Sequence, residues 1–395
     1  FREIARRYGF SEYETPLLEP TELYLKKAGG ELTTQLFRFE DQGGRDITLR
    51  PEVTASLGRL AATVQRDYPK PMRWFEIGQC FRYEKPQKGR TREFYQFNVD
   101  LLGESSAAAD AELIALSIDL MRALGFQQGD FVIRLSDRAY WQNFGKERGL
   151  TEDQTADLLQ VVDKLERDKP EATEAKLAPL NLTLEEVRNA IENPTTLGEN
   201  LDTILANLEA RGMRGDVELD LSIVRGLAYY TGVVFEVFDA KKSLRAVAGG
   251  GRYDTLVSAL SDGSVDLPAA GFAIGDVVIR HLIEETPHAA AAMKAALDQE
   301  GACEVFLVIA DDAQQLKALG LASKLRTAGI PVSYPLSPTK FNKQFKQAEQ
   351  SGAKLAIVIG SEYPELSVKT LATRTEEKLS DDENLVENIS QILSK

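Results

Sequence analysis

Positive side chains crowd the stretch FRYEKPQKGRTREFYQFNVD, which covers residues 81–100. Five of them fall within eleven residues, and they are Arg82, Lys85, Lys88, Arg90 and Arg92. An arginine presents a planar fork of five N–H donors, a shape that matches a phosphate or a carboxylate. In a cleft with little water, each charge-assisted hydrogen bond of this kind contributes about 1.5–3 kcal/mol. The stretch therefore predicts a site for a small anion, with Arg82 as its first candidate.

The alternative is a solvated strand edge, where charges only pair with one another. Here the cations surround a Pro/Gly loop, KPQKGR, between two strand patterns, PMRWFEIGQCFRYE and TREFYQFNVDLL. Alternation along a strand places every second side chain on the same face. One face of the second strand then carries Arg92, Phe94, Gln96, Asn98 and Asp100. Gln96 and Asp100 lie two strand periods apart, so an amide and a carboxylate can contact two ends of a small polar molecule.

A second group of candidates lies in VRGLAYYTGVVFE, residues 224–236, and in GGGRYD, residues 249–254. Arg225 falls in a glycine- and tyrosine-rich turn between strand patterns, where aromatic side chains can exclude water around a guanidinium. The three glycines before Arg252 predict either a tight bend or a backbone that approaches a ligand closely. The residues alone leave both interpretations open.

Length and composition limit the classes of protein. The 395 residues suffice for two or three domains, and the 43% apolar and 27% charged residues are ordinary for a globular protein. A formal net charge of −14 argues against non-specific coating of nucleic acid, although a cleft can still focus a local positive field. The sequence shows no apolar run long enough to span a membrane and no secretory leader. It begins at Phe1 without an initiator methionine, so we expect that an N-terminal piece precedes it.

Cysteines and histidines are too few to carry the chemistry. Cys80 and Cys303 lie far apart, which excludes a disulfide framework and a CxxC-type zinc site. His281 and His288 fall in a predicted helix and the loop after it, and we expect structural or surface roles for both. Carboxylates, arginines and amides are therefore the expected functional groups, and no protein-held metal is predicted.

The other patterns show how these residues are positioned. In RPEVTASLGRLAATV a helix is expected to begin at Pro51, a residue type suited to a first helical turn. Residues 107–215 are helical and charge-rich, and strand patterns return in DVELDLSIV, GVVFEVFD and SLRAVAG. GFAIGDVVIRHLIEE predicts a strand that runs into a helix. After a boundary near 286–302, strands and helices alternate as in a small, mostly parallel sheet.

Six motifs occur in the order typical of histidyl-tRNA synthetases, a family of class II aminoacyl-tRNA synthetases. YGFSEYETPLLEPTELY resembles class II motif 1, including the proline at Pro16, and ITLRPEVT resembles the LRPE-x-T segment. FRYEKPQKGRTREFYQF resembles motif 2, and VRGLAYYTG resembles the histidine-specific RGL-x-YY motif. GGGRYD and GFAIG, the start of motif 3, complete the series. The resemblance extends along essentially the whole chain.

This resemblance implies an α+β catalytic core on an antiparallel sheet, the class II synthetase fold, with a helical insertion and a C-terminal α/β anticodon-binding domain. The expected ranges are 1–126 and 216–290 for the core, 127–215 for the largely helical insertion, and 302–395 for the anticodon-binding domain. The core is expected to form a homodimer through motif 1.

The resemblance also implies an activity. A family member joins L-histidine to ATP, releases pyrophosphate, and transfers histidine from the adenylate to the 3′ end of tRNA(His). The expected partners are L-histidine, ATP with Mg²⁺, tRNA(His) and a second copy of the chain, without a membrane. We expect a cytoplasmic enzyme, and an organellar location stays open because the start of the sequence is missing.

By position, the resemblance assigns a histidine site to Glu52, Thr54, Gln96, Asp100, Arg225, Tyr229, Tyr230 and Tyr253. The first three are expected to hold the α-amino group. Asp100 and Tyr230 are expected to contact the imidazole, while Tyr229 and Tyr253 line the pocket. A buried hydrogen-bonding site of this kind can reject an analogue that lacks the matching group by about 10⁴-fold or more.

The resemblance assigns catalysis to two arginines and ATP binding to four residues. Arg82 is expected to bridge the α-phosphate and the substrate carboxylate, while Arg225 neutralises charge on the other side of the reacting phosphorus. The ATP site comprises Arg82, Glu84, Arg90 and Phe94, and Phe94 is expected to stack under adenine. Attack of a carboxylate on a phosphate brings two anions together, so cations aimed at the in-line arrangement are the main requirement.

Three positions depart from the family pattern. Ala228 stands where RGL-x-YY often has aspartate, and Asp100 stands where glutamate is more usual. Val278 in motif 3 stands where an arginine for the ATP phosphates ordinarily falls, and Arg280 points about 200° away on a helix. From the density of cations in motif 2, we hypothesise that Arg90 and Arg92 supply the missing phosphate contact.

One rival belongs to another class. Histidyl-tRNA synthetase-like regulatory subunits of ATP phosphoribosyltransferase share this core and bind histidine without charging tRNA. They usually lack the anticodon-binding domain and degrade motif 2 and the RGL-x-YY arginine. Arg82, the QKGR loop, Arg225 and the C-terminal α/β pattern favour the synthetase here. A free-standing amino-acid-binding module would leave the C-terminal pattern unexplained.

Lysines recur at helical spacing in the C-terminal domain, and they are Lys340, Lys343 and Lys346. Residues three apart on a helix share a face. We expect this face to contact tRNA phosphates near the anticodon stem. The alternative is an ordinary solvated stripe.

Overall fold

The computed structural model describes residues 1–25, 30–85, 89–165, 167–194, 196–224, 229–241, 244–299, 301 and 303–394, without the side chains of residues 30, 31, 298 and 299. The chain divides into two compact units, Phe1–Ala290 and Ala291–Lys395. The division falls inside one helix, Pro287–Gln299.

The strands of the first unit are short at its start and long in its centre. They are β1 Ser11–Glu12, β2 Leu18–Pro20, β3 Phe37–Glu40, β4 Asp46–Leu49, β5 Met72–Phe81, β6 Glu93–Leu102, β7 Phe131–Asp137, β8 Val217–Leu219, β9 Val233–Asp239, β10 Ala248–Arg252 and β11 Ala269–Gly275. Within the described residues, eight of them form a large sheet in the order β1-β5-β6-β11-β10-β9-β7-β8. The remaining three form a small sheet in the order β2-β4-β3.

Helices flank these strands. They are α1 Arg2–Arg7, α2 Thr21–Leu25, α3 Gly30–Thr33, α4 Thr54–Val64, α5 Ala107–Ala123, α6 Arg138–Glu147, α7 Glu152–Asp163, α8 Pro170–Leu177, α9 Leu184–Glu192, α10 Glu199–Ala210, α11 Leu256–Leu260, α12 Asp276–Glu285 and α13 Pro287–Gln299. Short 3₁₀ helices occupy Gln65–Asp67, Ala178–Leu180 and Arg214–Asp216.

The predicted hairpin is confirmed as the longest pairing of the large sheet. β5 and β6 are antiparallel, with Met72 opposite Leu102 at one end and Phe81 opposite Glu93 at the other. Neighbouring pairs from β5 to β7 are antiparallel, and only the short end strands β1 and β8 join in parallel. β6 is paired on both sides, and its second half, from Phe97 onward, is buried. The polar residues on this strand therefore lie in the interior of the large sheet.

The GGGR segment is not a tight bend, because it lies inside β10, between β9 and β11. A Cβ at Gly250 would lie 2.4 Å from Cβ of Phe272, and a Cβ at Gly251 would lie 2.5 Å from the carbonyl oxygen of Val233. Glycine is required here because neighbouring strands approach too closely for any side chain. The strand predicted at SLRAVAG therefore begins later, at Ala248, and runs through the glycines.

The range 127–215, expected to be largely helical, also contains β7, which pairs with β9 in the large sheet. One further expectation is corrected. The helix expected at Pro51 begins at Thr54. The backbone of Arg50 is still paired at that point, since its N–H donates to Leu17 and its carbonyl accepts from Phe81. Because both backbone groups of Arg50 are used in strand-type pairing, the chain next to it cannot yet turn into a helix.

The C-terminal unit has its own sheet, with strands β12 Val305–Ile309, β13 Val332–Ser333, β14 Leu355–Ile359, β15 Glu365–Thr370 and β16 Glu376–Ser380. Its helices are α14 Gln315–Thr327, α15 Phe341–Gln350 and α16 Leu385–Leu393. The order is β13-β12-β14-β15-β16, and the first three strands are parallel, as predicted. β15 and β16 pair antiparallel, so the sheet is mixed rather than mostly parallel.

Candidate active site

Arg82 lies just past the end of β5 and is held from two directions. Its backbone N–H donates to the carbonyl of Arg92 across 2.9 Å, which extends the hairpin ladder by one pair. Its Nε donates to the carbonyl oxygen of Pro51, also across 2.9 Å. Its guanidinium carbon lies 5.2 Å from the ring centre of Phe94 on β6. Two of the predicted ATP residues, Arg82 and Phe94, are therefore neighbours, and the terminal N–H groups of Arg82 have no hydrogen-bond partner among the described residues.

The other two predicted ATP residues form an ion pair. Nη1 of Arg90 lies 3.1 Å from Oε2 of Glu84. Arg92 is placed differently, with its guanidinium 4.5 Å from the ring centre of Tyr83 and its Nε 3.2 Å from the carbonyl of Glu84. The three arginines of the hairpin are thus placed differently: Arg82 lies beside Phe94, Arg90 pairs with the Glu84 carboxylate, and Arg92 stacks on Tyr83.

The predicted amino-group residues lie between this cationic end and the buried half of β6. Burial raises the pKa of Glu52, and the positive charge of Arg82 opposes the rise. Thr54, the first residue of α4, accepts a hydrogen bond from Asn98 across 3.4 Å. Gln96 precedes Asn98 by one strand period and is partly exposed. These residues therefore connect the Arg82 region to the carboxylate farther along β6.

Asp100 is the buried carboxylate of this face, with 1% of its surface exposed. Its Oδ1 accepts a hydrogen bond from the hydroxyl of Tyr253. Burial raises the pKa of Asp100 to about 7, and the charge of Glu76 adds to the rise, while the Tyr253 hydrogen bond opposes it. Oδ2 is buried and has no hydrogen-bond partner among the residues that the structure describes. An unused carboxylate oxygen in a buried site suits an N–H donor of a ligand.

Two further tyrosines cluster with Tyr253, the residue that bonds this carboxylate. The rings of Tyr229 and Tyr230 lie 5.0 Å apart, and those of Tyr229 and Tyr253 lie 5.8 Å apart. All three belong to one apolar cluster of the core or pack against it. Arg225, predicted to serve both histidine binding and catalysis, lies outside the described residues, as does Ala228 of the same motif.

Tyr13 is a polar group that the sequence analysis missed. It packs on Trp74, whose position in β5 is directly opposite Asp100, and their rings lie 5.6 Å apart. Its hydroxyl is buried without a hydrogen-bond partner in the described parts of the chain. Burial raises the pKa of Tyr13 well above its usual value, and the charge of Asp100 adds to this. The local pattern carried no signal for it, because only the pairing of the β1 segment with β5 brings it to this face.

Arg252 holds Tyr253 in place from the adjacent position in the chain. Its guanidinium contacts Asp110 on α5 at 3.0 Å and Asp254 at 3.0 Å. It also donates to the carbonyl of Glu104 across 3.0 Å. Such a fully bonded buried arginine fixes the end of β10, and with it the tyrosine that bonds Asp100.

The comparisons with known proteins agree with this geometry. The family model described as Histidyl-tRNA synthetase matches residues 1–275. The chain belongs to the histidyl-tRNA synthetase family. A second model, described as Anticodon binding domain, matches residues 304–392. The expected fold, an antiparallel catalytic sheet followed by a C-terminal α/β anticodon-binding domain, is thereby confirmed.

Named relatives cover nearly the whole chain. A histidine–tRNA ligase of Opitutus terrae is 42% identical, over 95% of this chain and 90% of its own length. A chloroplastic/mitochondrial histidine–tRNA ligase of Arabidopsis thaliana is 36% identical, over 96% of this chain and 81% of its own. A crystal structure of histidyl-tRNA synthetase from a Nostoc species superposes with a TM-score of 0.75 over 99% of this chain and 93% of its own. At 23% identity, that structure supports the fold alone.

In the anticodon-binding domain of this family member, the three predicted lysines are exposed. Lys343 and Lys346 lie in α15, and Lys340 immediately precedes it. Among the described residues, no group of three or more His, Cys, Asp or Glu side chains is arranged to hold a metal ion. No helix in the described ranges has the length and apolar character needed to span a membrane.

Proposed function

We propose that the chain is a histidine–tRNA ligase, which activates L-histidine with ATP and transfers it to the 3′ end of tRNA(His). The observation that carries this proposal is the continuous face of the β5–β6 hairpin. One end of it presents Arg82 and Phe94, and the other end presents the buried Asp100, to which Tyr253 donates a hydrogen bond from beyond the end of β10. A nucleotide and a small cationic or N–H-donating amino acid can therefore be bound side by side on one sheet.

In the first step, a carboxylate oxygen of histidine attacks the α-phosphorus of ATP, and the bond to pyrophosphate breaks. Two anions must approach, so cations aimed at the phosphate lower the barrier. We assign Arg82 to the α-phosphate and the substrate carboxylate, since its Nε bond to Pro51 fixes the guanidinium before any substrate arrives. Arg225 is proposed to neutralise charge on the opposite side. In the second step, a hydroxyl of the terminal ribose of tRNA attacks the carbonyl carbon and AMP leaves.

Selection of histidine is assigned to the buried half of the site. Asp100 supplies an acceptor for an imidazole N–H through its unused Oδ2, with Tyr230 as the second imidazole contact. Tyr229 and Tyr253 line the pocket. We assign binding of the α-amino group of histidine to the residues nearer Arg82, namely Glu52, Thr54 and Gln96.

ATP is assigned to the cationic half of the site. Phe94 lies beside Arg82, so a base stacked on Phe94 brings its α-phosphate into the neighbourhood of that guanidinium. Glu84 and Arg90, which already form an ion pair, are proposed to contact the nucleotide as well. Mg²⁺ is proposed to enter with ATP and to offset charge on its phosphates.

Three further assignments complete the proposal. We propose that Lys340, Lys343 and Lys346 contact tRNA phosphates, because they form an exposed positive face in the anticodon-binding domain. We propose a homodimer, to be tested by light scattering during size-exclusion chromatography. We propose a cytoplasmic location, with the organellar alternative to be tested by fractionating cells that express the complete gene.

ATP–pyrophosphate exchange with each amino acid in turn, followed by charging of tRNA, tests the proposal. Exchange confined to histidine, together with histidine-dependent charging of tRNA(His), is the expected result. Absence of exchange despite intact histidine binding would favour the rival regulatory subunit of ATP phosphoribosyltransferase.

A further inference from the structure

Arg245 is an arginine of the first unit that none of the motifs includes. It lies between β9 and β10, three residues before Ala248, and its side chain is exposed. It forms no hydrogen bond or ion pair with the part of the chain that the structure describes. Arginines elsewhere near the site, such as Arg90 and Arg252, are engaged with carboxylates. A guanidinium without a partner among the described residues, beside the proposed nucleotide site, is a candidate for a ligand contact.

The surroundings of Gly89 show where Arg245 lies. Gly89 is the first described residue after positions 86–88 of the hairpin loop. A Cβ built on Gly89 would lie 3.6 Å from Cδ of Arg245 and 3.6 Å from Cγ2 of Val278. Arg245 and Val278 therefore meet at the same point of the hairpin. Val278 lies in the first turns of α12, and Asp276 in the same helix accepts a hydrogen bond from the backbone of Tyr95 across 3.1 Å, which anchors that helix to β6.

The electrostatic surroundings of Arg245 match this position. Partial burial lowers its pKa, and the positive charges of Arg90 and Arg82 lower it further. The negative charges of Glu84 and Glu236 raise the pKa of Arg245, but they do not cancel this lowering. The guanidinium of Arg245 therefore lies within electrostatic range of two arginines of the hairpin, Arg82 and Arg90. Such an arrangement becomes favourable when an anion with several charges lies between them.

We propose that Arg245 binds the polyphosphate of ATP. Beside Gly89 it supplies a positive charge, whereas the neighbouring Val278 has only methyl groups there. This inference rests on the proposed function, since it takes ATP to be the nucleotide at the hairpin. Arg82 then binds the reacting α-phosphate, while Arg245 binds the phosphates that leave as pyrophosphate. Arg92 is less suited to that task, because its guanidinium is already stacked on Tyr83.

The central experiment compares Arg245→Gln with the unsubstituted protein. The change removes the charge from an exposed side chain and keeps a polar group of similar size, so folding should be retained, as a thermal melt would show. We expect the KM for ATP in ATP–pyrophosphate exchange to rise about 10- to 100-fold, with the KM for histidine within about twofold. The Kd for ATP from calorimetry should rise by a similar factor.

Two matched variants sharpen the result. Arg280→Gln removes another exposed arginine, which bonds Glu284 across 2.8 Å, and should leave every constant unchanged. Val278→Arg placed in the Arg245→Gln background should restore most of the ATP affinity, because the two side chains reach the same point.

The outcomes separate this inference from the proposed function. Exchange with histidine at an unchanged KM for ATP in Arg245→Gln would overturn the role of Arg245 and leave the ligase assignment in place. Absence of exchange in the unsubstituted protein would count against the ligase, whereas the calorimetric comparison would still decide whether Arg245 binds ATP. A rise in both substrate KM values by equal factors would also overturn the inference, because it would indicate general disruption.

Discussion

Arg82 donates a hydrogen bond from Nε to the carbonyl oxygen of Pro51 across 2.9 Å. This bond joins the end of β5 to the segment that leads into α4, so a residue of motif 2 is oriented by the LRPE-x-T motif. Pro51 cannot donate from its own nitrogen, and its carbonyl is left for this contact because α4 begins only at Thr54. The Arg82 guanidinium is therefore already oriented by the protein itself, without a substrate.

Replacing Arg82 by lysine keeps the charge and removes the fork that bonds Pro51. Because a mobile ammonium cannot keep this orientation, we expect the rate of ATP–pyrophosphate exchange to fall by about 10²–10³-fold. Arg38→Lys, at an exposed pair with Asp46, is the control and should retain its rate. Exchange by Arg82→Lys at more than half the normal rate would contradict the assignment.

Removing the Arg90 side chain tests whether motif 2 contributes a phosphate contact. We expect Arg90→Ala to slow exchange about tenfold, because one charge-assisted contact to ATP is lost and Glu84 loses its ion-pair partner. Exchange is measured at saturating histidine with ATP varied. An unchanged rate would sink the hypothesis that Arg90 helps to replace the missing motif 3 arginine.

The raised pKa of Asp100 predicts a pH dependence of stability. Its folded pKa is about 7 and its ordinary value is 3.8, so between these values the folded protein binds more protons there than the unfolded chain does. The contribution of Asp100 to the free energy of unfolding therefore falls as pH rises, by up to about 1.4 kcal/mol per unit. Asp100→Asn removes this contribution, so its stability relative to the normal protein should increase from pH 5 to pH 7.

Urea unfolding of both proteins without ligands at several pH values measures the effect. Asp153→Asn, on the exposed surface of α7, is the control and should show no such increase. A constant difference between Asp100→Asn and the normal protein across this pH range would contradict the prediction. Asp110, whose pKa burial also raises to about 7, contributes in the same direction and is unchanged in both proteins.

Gly271 has no side chain, and the Asp100 carboxylate occupies the space that a side chain at this position would need. A Cβ at this position would lie 2.0 Å from Oδ1 of Asp100 and 2.8 Å from the carbonyl oxygen of Val99. We expect Gly271→Ala to lower the free energy of unfolding by about 1–3 kcal/mol and to raise the KM for histidine. Gly275→Ala, on the same strand with no atom within 4 Å, should change stability by less than about 0.5 kcal/mol. Equal effects of the two substitutions would refute the steric explanation.

Charge reversal at Lys343 tests the lysine face of α15. If this face contacts tRNA phosphates, Lys343→Glu should raise the KM for tRNA about tenfold and reduce its salt dependence. Exchange, which needs no tRNA, should be unaffected. Lys294→Glu, in α13, provides a matched reversal away from α15. A KM for tRNA and a salt dependence that stay unchanged would leave the lysines as a solvated stripe.

The sequence by itself determined the β5–β6 hairpin, the alternation of its side chains and the family. Alternation with a period of two placed Phe94, Gln96 and Asp100 on one face of a strand, and the hairpin that this predicts is present in register. The order of the motifs pointed to the family. Periodicity and motif order are local properties of the chain, so they can be read without knowing which strands become neighbours.

Only the tertiary structure decided which distant segments meet. The glycines of GGGR lie within a strand because β9 and β11 close on both sides of them, and β7 joins the sheet although helices follow it. Tyr13 reaches the Asp100 region through the pairing of its segment with β5. Arg245, more than 150 residues after Gly89 in the chain, lies beside it together with Val278. Such meetings depend on long-range strand pairing, for which no spacing within a single segment carries a signal.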